Sequence, residues 1–215
     1  MKQILVALAL LMIGLTPAVS QAYNVFIDDF EGESQSLNHS PFAHWTVTEG
    51  TVDVIGDGGT FPLLPLGNGN YVDLDGSTND PGIMASAPLN LFAGQTYDFS
   101  FDYAGSQRGD TNSLYMGLDT DSNGSIDIPL AGGSILNVAS NIPLTSVLVS
   151  FVPGSNTTAR IIFTQDPTPG VGNGNNIGLL LDNVKLSTVP EPASLMLLGA
   201  GLAAIGIWRR KAAKG

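Results

Sequence analysis

The sequence predicts an all-β chain: an antiparallel β-sandwich, a jelly roll in type, with an N-terminal signal helix and a C-terminal transmembrane helix. Three observations predict it. Period-two alternation recurs through the middle of the chain and is clearest at 96–104, where Tyr97, Phe99, Phe101 and Tyr103 share one face and Thr96, Asp98, Ser100 and Asp102 the other. The chain has 26 glycines, a density well above the usual ~7%, and 13 prolines, and most of them fall in this stretch and cut it into short pieces. Charged residues are only 13% of the chain, against about 25% in an ordinary soluble domain, which excludes coiled coils and most helical bundles.

In order, residues 1–22 read as a secretory signal. Lys2 is the positive start, 4–15 is the apolar run, and Ser20-Gln21-Ala22 places small residues ahead of a cut before Tyr23. Ala18-x-Ser20 is the alternative cut. A short membrane helix is the other reading, but the apolar run is too short to span. Strands are expected at 46–55, 70–74, 96–104, 114–118, 146–152, 159–164 and 178–186. Turn-rich pieces at 56–60, 75–82, 105–112, 132–133, 153–157 and 166–176 separate them. Nothing between Tyr23 and Thr188 shows an amphipathic helix of three turns.

The tail has three parts: Pro190-Glu191-Pro192, an apolar run at 193–208, and Arg209-Arg210-Lys211. As a helix the run reaches about 24 Å, short of a ~30 Å hydrocarbon core. The cations hold its end in the cytoplasm. Such a helix suits a transient anchor. An ordinary tail anchor is the alternative.

Charge narrows the function. Between Tyr23 and Thr188 lie 18 acids against Arg108, Arg160 and Lys185, a net of −15. Phosphate backbones are repelled, so nucleic acid is excluded as a partner. The absence of cysteine excludes a disulfide scaffold, a thiolate metal site and a catalytic thiol.

One motif stands out among the acids. Asp119-Thr120-Asp121-Ser122-Asn123-Gly124-Ser125-Ile126-Asp127 reads D-x-D-x-N-G-x-x-D. Asp119, Asp121 and Asp127 offer carboxylates, Asn123 an amide oxygen and Ser125 a backbone carbonyl to one Ca²⁺, with Gly124 for the sharp turn and Ile126 as an apolar pin. Position 12 is Leu130, so the bidentate acid of an EF-hand is missing. The alternative is a polar hairpin turn, since these are also turn residues. Asp182 shares a strand face with Leu180 and Val184 by alternation, and a carboxylate there needs a metal or a donor.

Catalytic patterns are thin. His39 and His44 sit in one loop at His-x4-His spacing and read as loop or ring-stacking residues. No Gly-x-Ser-x-Gly elbow occurs, and Gly172-x-Gly174 has no following helix. A sugar platform would draw on Trp45, Tyr71 and Tyr115, the two tyrosines facing away from apolar Val72, Leu114 and Met116.

Two resemblances add to this. The tail resembles the PEP-CTERM sorting signal of Gram-negative bacteria, carried by Pro190-Glu191-Pro192, the apolar run and Arg209-Arg210-Lys211. The resemblance implies processing by an exosortase and delivery, after a passing stay in the inner membrane, to the cell surface or exopolysaccharide matrix. In the middle domain, five pieces occur in order: Phe30-Glu31, the run from Trp45 to Gly56, Tyr71-Val72-Asp73-Leu74-Asp75-Gly76-Ser77, Ala93-Gly94-Gln95-Thr96-Tyr97 with Phe99 and Phe101, and Leu181-Asp182-Asn183-Val184. Together they resemble the choice-of-anchor C family, related to plant DUF642 and galactose-binding-like jelly rolls. Residues 119–165 match nothing there beyond alternation. In related carbohydrate-binding modules a structural Ca²⁺ ties the first strand to the last, and the matching acids are Glu31 and Asp182. The expected function is an exported, non-enzymatic surface or matrix protein that binds polysaccharide. A structural or adhesive calcium-stabilised protein and a glycan hydrolase are the alternatives.

Overall fold

The computed structural model describes residues 22–59, 61–165 and 175–190, and beyond them Gly199, Gly201, Leu202, Ala203, Ile205, Gly206 and Arg209. The expected signal segment up to residue 21, the Gly172-x-Gly174 piece, and Glu191, Pro192, Arg210 and Lys211 lie outside the described residues. Tyr23–Thr188 forms one compact unit, and every core cluster of the described residues is drawn from it. The unit therefore holds on its own what folding needs.

The described residues of the unit form an all-β sandwich of twelve strands. They are β1 (Asn24–Asp28), β2 (Trp45–Val47), β3 (Asp53–Gly56), β4 (Asn70–Asp73), β5 (Met84–Ser86), β6 (Leu89–Leu91), β7 (Tyr97–Ala104), β8 (Asn112–Asp119), β9 (Ile128–Val138), β10 (Thr145–Phe151), β11 (Thr157–Thr164) and β12 (Leu180–Thr188). One sheet runs β10-β7-β12-β4-β3, with β1 also on β12. The other runs β2-β5-β11-β8-β9, with β6 also on β11. All named strand pairs are antiparallel. From β9 to β12 the chain changes sheets at each connection, the winding of a jelly roll.

Alternation on β7 dictates the core as expected. Tyr97, Phe99 and Phe101 are buried, while Asp98, Ser100 and Asp102 stay half-exposed on the outer face. Phe101 meets Phe163 of β11 edge-on at 5.0 Å, and Phe163 lies 6.1 Å from Trp45. These rings join the two sheets, each contributing about 1.5–3 kcal/mol by leaving water.

Three expectations need correction. The stretch 46–55 is two strands, because Gly50 takes φ 59° and the chain turns between β2 and β3. Gly132 and Gly133 lie inside β9; with Leu130 and Ala131 they bulge out where the register against β8 jumps from Gly117↔Pro129 to Tyr115↔Ser134. Asp182 does not share a face with Val184. Asn183 adopts φ 51°, and the register against β7 slips between Asp182 and Lys185. The bulge turns Val184 into the main core and leaves Asp182 on the outer side with Leu180.

Candidate functional site

Four places along the chain bear on function. The first is the hairpin joining β8 to β9. Asp119, Asp121 and Asp127 bring one carboxylate oxygen each within 4.8 Å of one another. The loop is held by its own acids. Asp119 accepts from the backbone N–H of Asp121, Ser122 and Gly124, and Asp127 Oδ2 accepts from the N–H and hydroxyl of Thr120 at 2.7 Å. The Thr120 hydroxyl and N–H hold the Asp127 carboxyl below the usual range. Ile126 packs on the small cluster of Ile83, Ala85 and Ile162, as the pattern expects. Asn123 Oδ1 accepts from Ser125 N–H at 2.7 Å. Asp119 is buried at its strand end, and Asp121 and Asp127 are exposed. Carboxylate oxygens this close suit a hard cation.

The second place is an open cleft of about 500 Å³ lined by Asp29, Glu31, Asp57, Gly67, Asn68, Gly69, Asp182 and Asn183. Glu31 and Asp182, paired by resemblance alone, thus face the same space. Asp29 and Asp57 were not singled out from sequence; Asp57 opens the glycine-rich turn after β3, its only local signal. Glu31 Oε1 accepts from Asn70 N–H at 2.8 Å, and Asp57 Oδ2 from Gly67 N–H at 2.6 Å. Asp57 Oδ1 is buried with no hydrogen-bond partner. Burial pushes the Asp182 carboxyl up to about 7, against the Asn183 N–H that favours its charge, and Asp102, Glu31 and Asp29 push the same way as burial. Four carboxylates, one with an orphaned oxygen, form a donor set that fits Ca²⁺.

The third place is a groove beside β3. Two adjoining hollows of about 280 and 180 Å³ share Leu37, Ile55 and Phe61. Phe61 is 52% exposed and Leu37 49%. Leu63, Asp53, Asp73, Ser77, Arg108 and Asn176 line the deeper part. Arg108 Nη2 donates to Asp73 Oδ2, and Ser77 Oγ donates to Asp53 Oδ2 at 3.0 Å. Burial pushes the Asp73 carboxyl up to about 7, although Arg108 pulls it down. Phe61 and Arg108 were not among the expected site residues. Exposed Phe61 follows a glycine pair in a turn, a weak sequence signal.

The expected platform is corrected here. Trp45 is 4% exposed, and its Nε1–H donates to buried Asp28 Oδ2 at 2.9 Å. Tyr71 does face away from Val72, yet it is fully buried: the loop after β3 folds over it, and its hydroxyl accepts from Leu63 and Leu64 N–H at 2.7 and 3.0 Å. Neither ring is open to a ligand. Tyr115 is half-buried on β8. The histidines stack: His39 lies 4.5 Å edge-on from Phe42, and His44 lies 6.2 Å from Phe26.

The fourth place is the C-terminal segment. Gly199, Gly201, Leu202, Ala203, Ile205, Gly206 and Arg209 are helical. Among the described residues no helix is long and apolar enough to cross a membrane.

The chain carries a PEP-CTERM protein-sorting motif, matched over residues 188–211. That motif defines an exported, exosortase-processed surface protein. No curated protein matches the chain. Among solved structures, the N-terminal CBM22-1–CBM22-2 tandem domain of Paenibacillus barcinonensis Xyn10C is similar at 12% identity and TM-score 0.51, over 81% of this chain and 47% of that one. The CBM22-1 xylan-binding domain of the same protein is similar at 11% identity and TM-score 0.49, over 81% of this chain and 99% of that one. An arabinose-bound α-L-arabinofuranosidase, MgGH51, matches at 14% identity and TM-score 0.45, over 68% of this chain and 23% of its own length. The tandem domain places the fold of Tyr23–Thr188 with the jelly rolls of carbohydrate-binding modules.

Proposed function

We propose that the chain is a non-enzymatic protein of the cell surface or exopolysaccharide matrix of a Gram-negative bacterium, and that its sandwich binds a neutral polysaccharide in the groove beside β3. Its route runs through a signal peptide ending before Tyr23, a brief stay in the inner membrane on the C-terminal helix, and cleavage by an exosortase. The observation that carries the binding reading is the groove. Phe61 offers an open ring beside Ile55 and Leu63, and Ser77, Asn176 and the Arg108–Asp73 pair supply directional hydrogen bonds. The fold likeness to a tandem of carbohydrate-binding modules supports the choice of ligand class, and the net −15 favours neutral over acidic chains.

Affinity electrophoresis of Tyr23–Thr188 through gels holding neutral or acidic polysaccharides tests this. A neutral polysaccharide should retard the domain, and Phe61→Ala should weaken that several-fold, about 0.5–1.5 kcal/mol. Retardation that Phe61→Ala and Arg108→Gln both leave unaltered removes the groove as the site. Released reducing ends would turn the reading to a hydrolase.

Calcium is part of the proposal as a structural ion. Asp119, Asp121 and Asp127 would hold one, with Asn123 and Ser125 as the further donors of the motif. Glu31 and Asp182 would hold another, joined by Asp29 and Asp57. These two acidic places favour, as the second reading, an adhesive surface protein that calcium stiffens without sugar binding.

A further inference from the structure

Strand β10, at the margin of the first sheet, pairs on one side only. Its seven residues match β7 without a bulge, from Thr145↔Tyr103 to Phe151↔Tyr97. Among the described residues, no backbone hydrogen bond from Ser146–Phe151 goes anywhere but to β7. A strand edge of this kind displays a free row of N–H and C=O groups, and proteins normally blunt it with charge, proline, a bulge or a covering loop.

The other strands that pair on one side only are blunted. β1, on β12 alone, carries a register shift between Asn24 and Phe26 and ends in Asp28, and β6, on β11 alone, is three residues long. β3 is covered: Ser36 exchanges two backbone hydrogen bonds with Val54, at 2.9 and 3.0 Å. β9 is broken by Pro129 and by the bulge that holds Gly132 and Gly133. β2 is three residues long. β10 has none of these defences. Its sequence, Thr-Ser-Val-Leu-Val-Ser-Phe, holds no charge, proline or glycine. Its inward residues Val147, Val149 and Phe151 are only half-buried, outward Leu148 is 69% exposed, and Val152 just past the strand end is 55% exposed.

We propose that β10 is a self-association edge, pairing antiparallel with β10 of a second copy of this chain about a two-fold axis at Leu148. In that register Leu148 faces its own copy, Val147 faces Val149 and Ser146 faces Ser150, so like meets like at the five central positions. Charge selects the place. A domain of net −15 repels its copies over most of its surface. The acids nearest this edge, Asp98 and Asp102, stand one strand inward on β7, and Asp98 accepts from the Ser150 hydroxyl. Across a β10–β10 pair the two β7 strands stand three strand spacings apart, about 14 Å. That exceeds the ~8 Å screening length at physiological salt. The pairing extends one sheet across two molecules and covers the half-exposed Val147, Val149 and Phe151. It leaves the groove beside β3, at the opposite margin of the same sheet, open.

Sedimentation of Tyr23–Thr188 over a range of concentrations tests the proposal. The mass should move toward twice the monomer, more readily at higher salt. Leu148→Lys sets two ammonium groups face to face and should return the domain to a monomer with its melting temperature kept, because Leu148 is mostly exposed. Leu148→Glu should do the same, and mixing the two variants should restore the double mass. A domain that stays monomeric at every concentration and salt overturns the proposal, as does a dimer that both single variants leave intact.

Discussion

Asp73 carries a proton-linked part of the fold. The carboxyl is buried at 2% exposure, and its ordinary value of 3.8 rises to about 7. Between those two values the folded domain holds more protons than the unfolded chain, so stability falls as pH rises. The contribution is complete below 3.8 and is lost as pH climbs through 7; Asp182, also near 7, adds a second share. In chelator, the melting temperature should therefore drop from pH 5 to pH 8, and Asp73→Asn should flatten that drop; a slope that the variant leaves unaltered refutes the assignment. Gly50 gives a second outcome at this scale. Its φ is 59°, and an added Cβ would sit 2.2 Å from the Pro81 carbonyl oxygen. Gly50→Ala should cost about 2–3 kcal/mol. Differential scanning calorimetry should record a fall of several degrees. What single residues do was legible in part. Alternation assigned Tyr71 to the face away from Val72, and that is where it lies. That a loop would cover it depends on bonds donated by Leu63 and Leu64 N–H to Tyr71 and by Gly67 N–H to Asp57, which no local pattern announces.

Among the elements, length decided what could be read. β7, β8, β10, β11 and β12 are seven to nine residues long and show their period. β5 and β6 have three residues each, too few for a period of two to register. β9 is the longest strand, yet its glycines read as a turn because a bulge places them at positive φ. The β8–β9 hairpin was legible because its spacing is local. The cleft of Glu31 and Asp182 was not, since it joins the loop after β1 to a bulge in β12, and only resemblance linked them. The two acidic places differ in a measurable way. Calcium should raise the melting temperature and chelator lower it. Asp127→Asn keeps the hairpin bond from Thr120 N–H but removes a charge, so it should shrink the calcium shift with little change in chelator. Asp182→Asn removes a buried charge and should raise the melting temperature in chelator at pH 8 while shrinking the calcium shift. A domain whose melting ignores both calcium and chelator rules out calcium as a stabilising ion.

At the scale of the whole molecule, address and fold are written differently. The fold of Tyr23–Thr188 is spread over pairings as distant as β1 with β12, and so emerges only from many weak signals. The sorting motif is contiguous, over residues 188–211. In the sequence Pro190-Glu191-Pro192 comes first, the apolar run follows, and the cations close it. On the proposed route, an apolar run of this length, about 24 Å if helical against a ~30 Å hydrocarbon core, would hold weakly unless charge pinned one end. Arg209, Arg210 and Lys211 would supply that pin, because translocating them across a membrane is costly. Replacing all three by Gln should therefore let the tail slip through before processing. Mass spectrometry of membrane and surface fractions checks this. The natural chain should yield a surface product that lacks the tail. The variant should yield a product that keeps residues 193–215. If the variant's product is trimmed at the same place and found in the same fraction, the basic cluster does not hold the anchor, and the motif works through Pro190-Glu191-Pro192 and the apolar run alone.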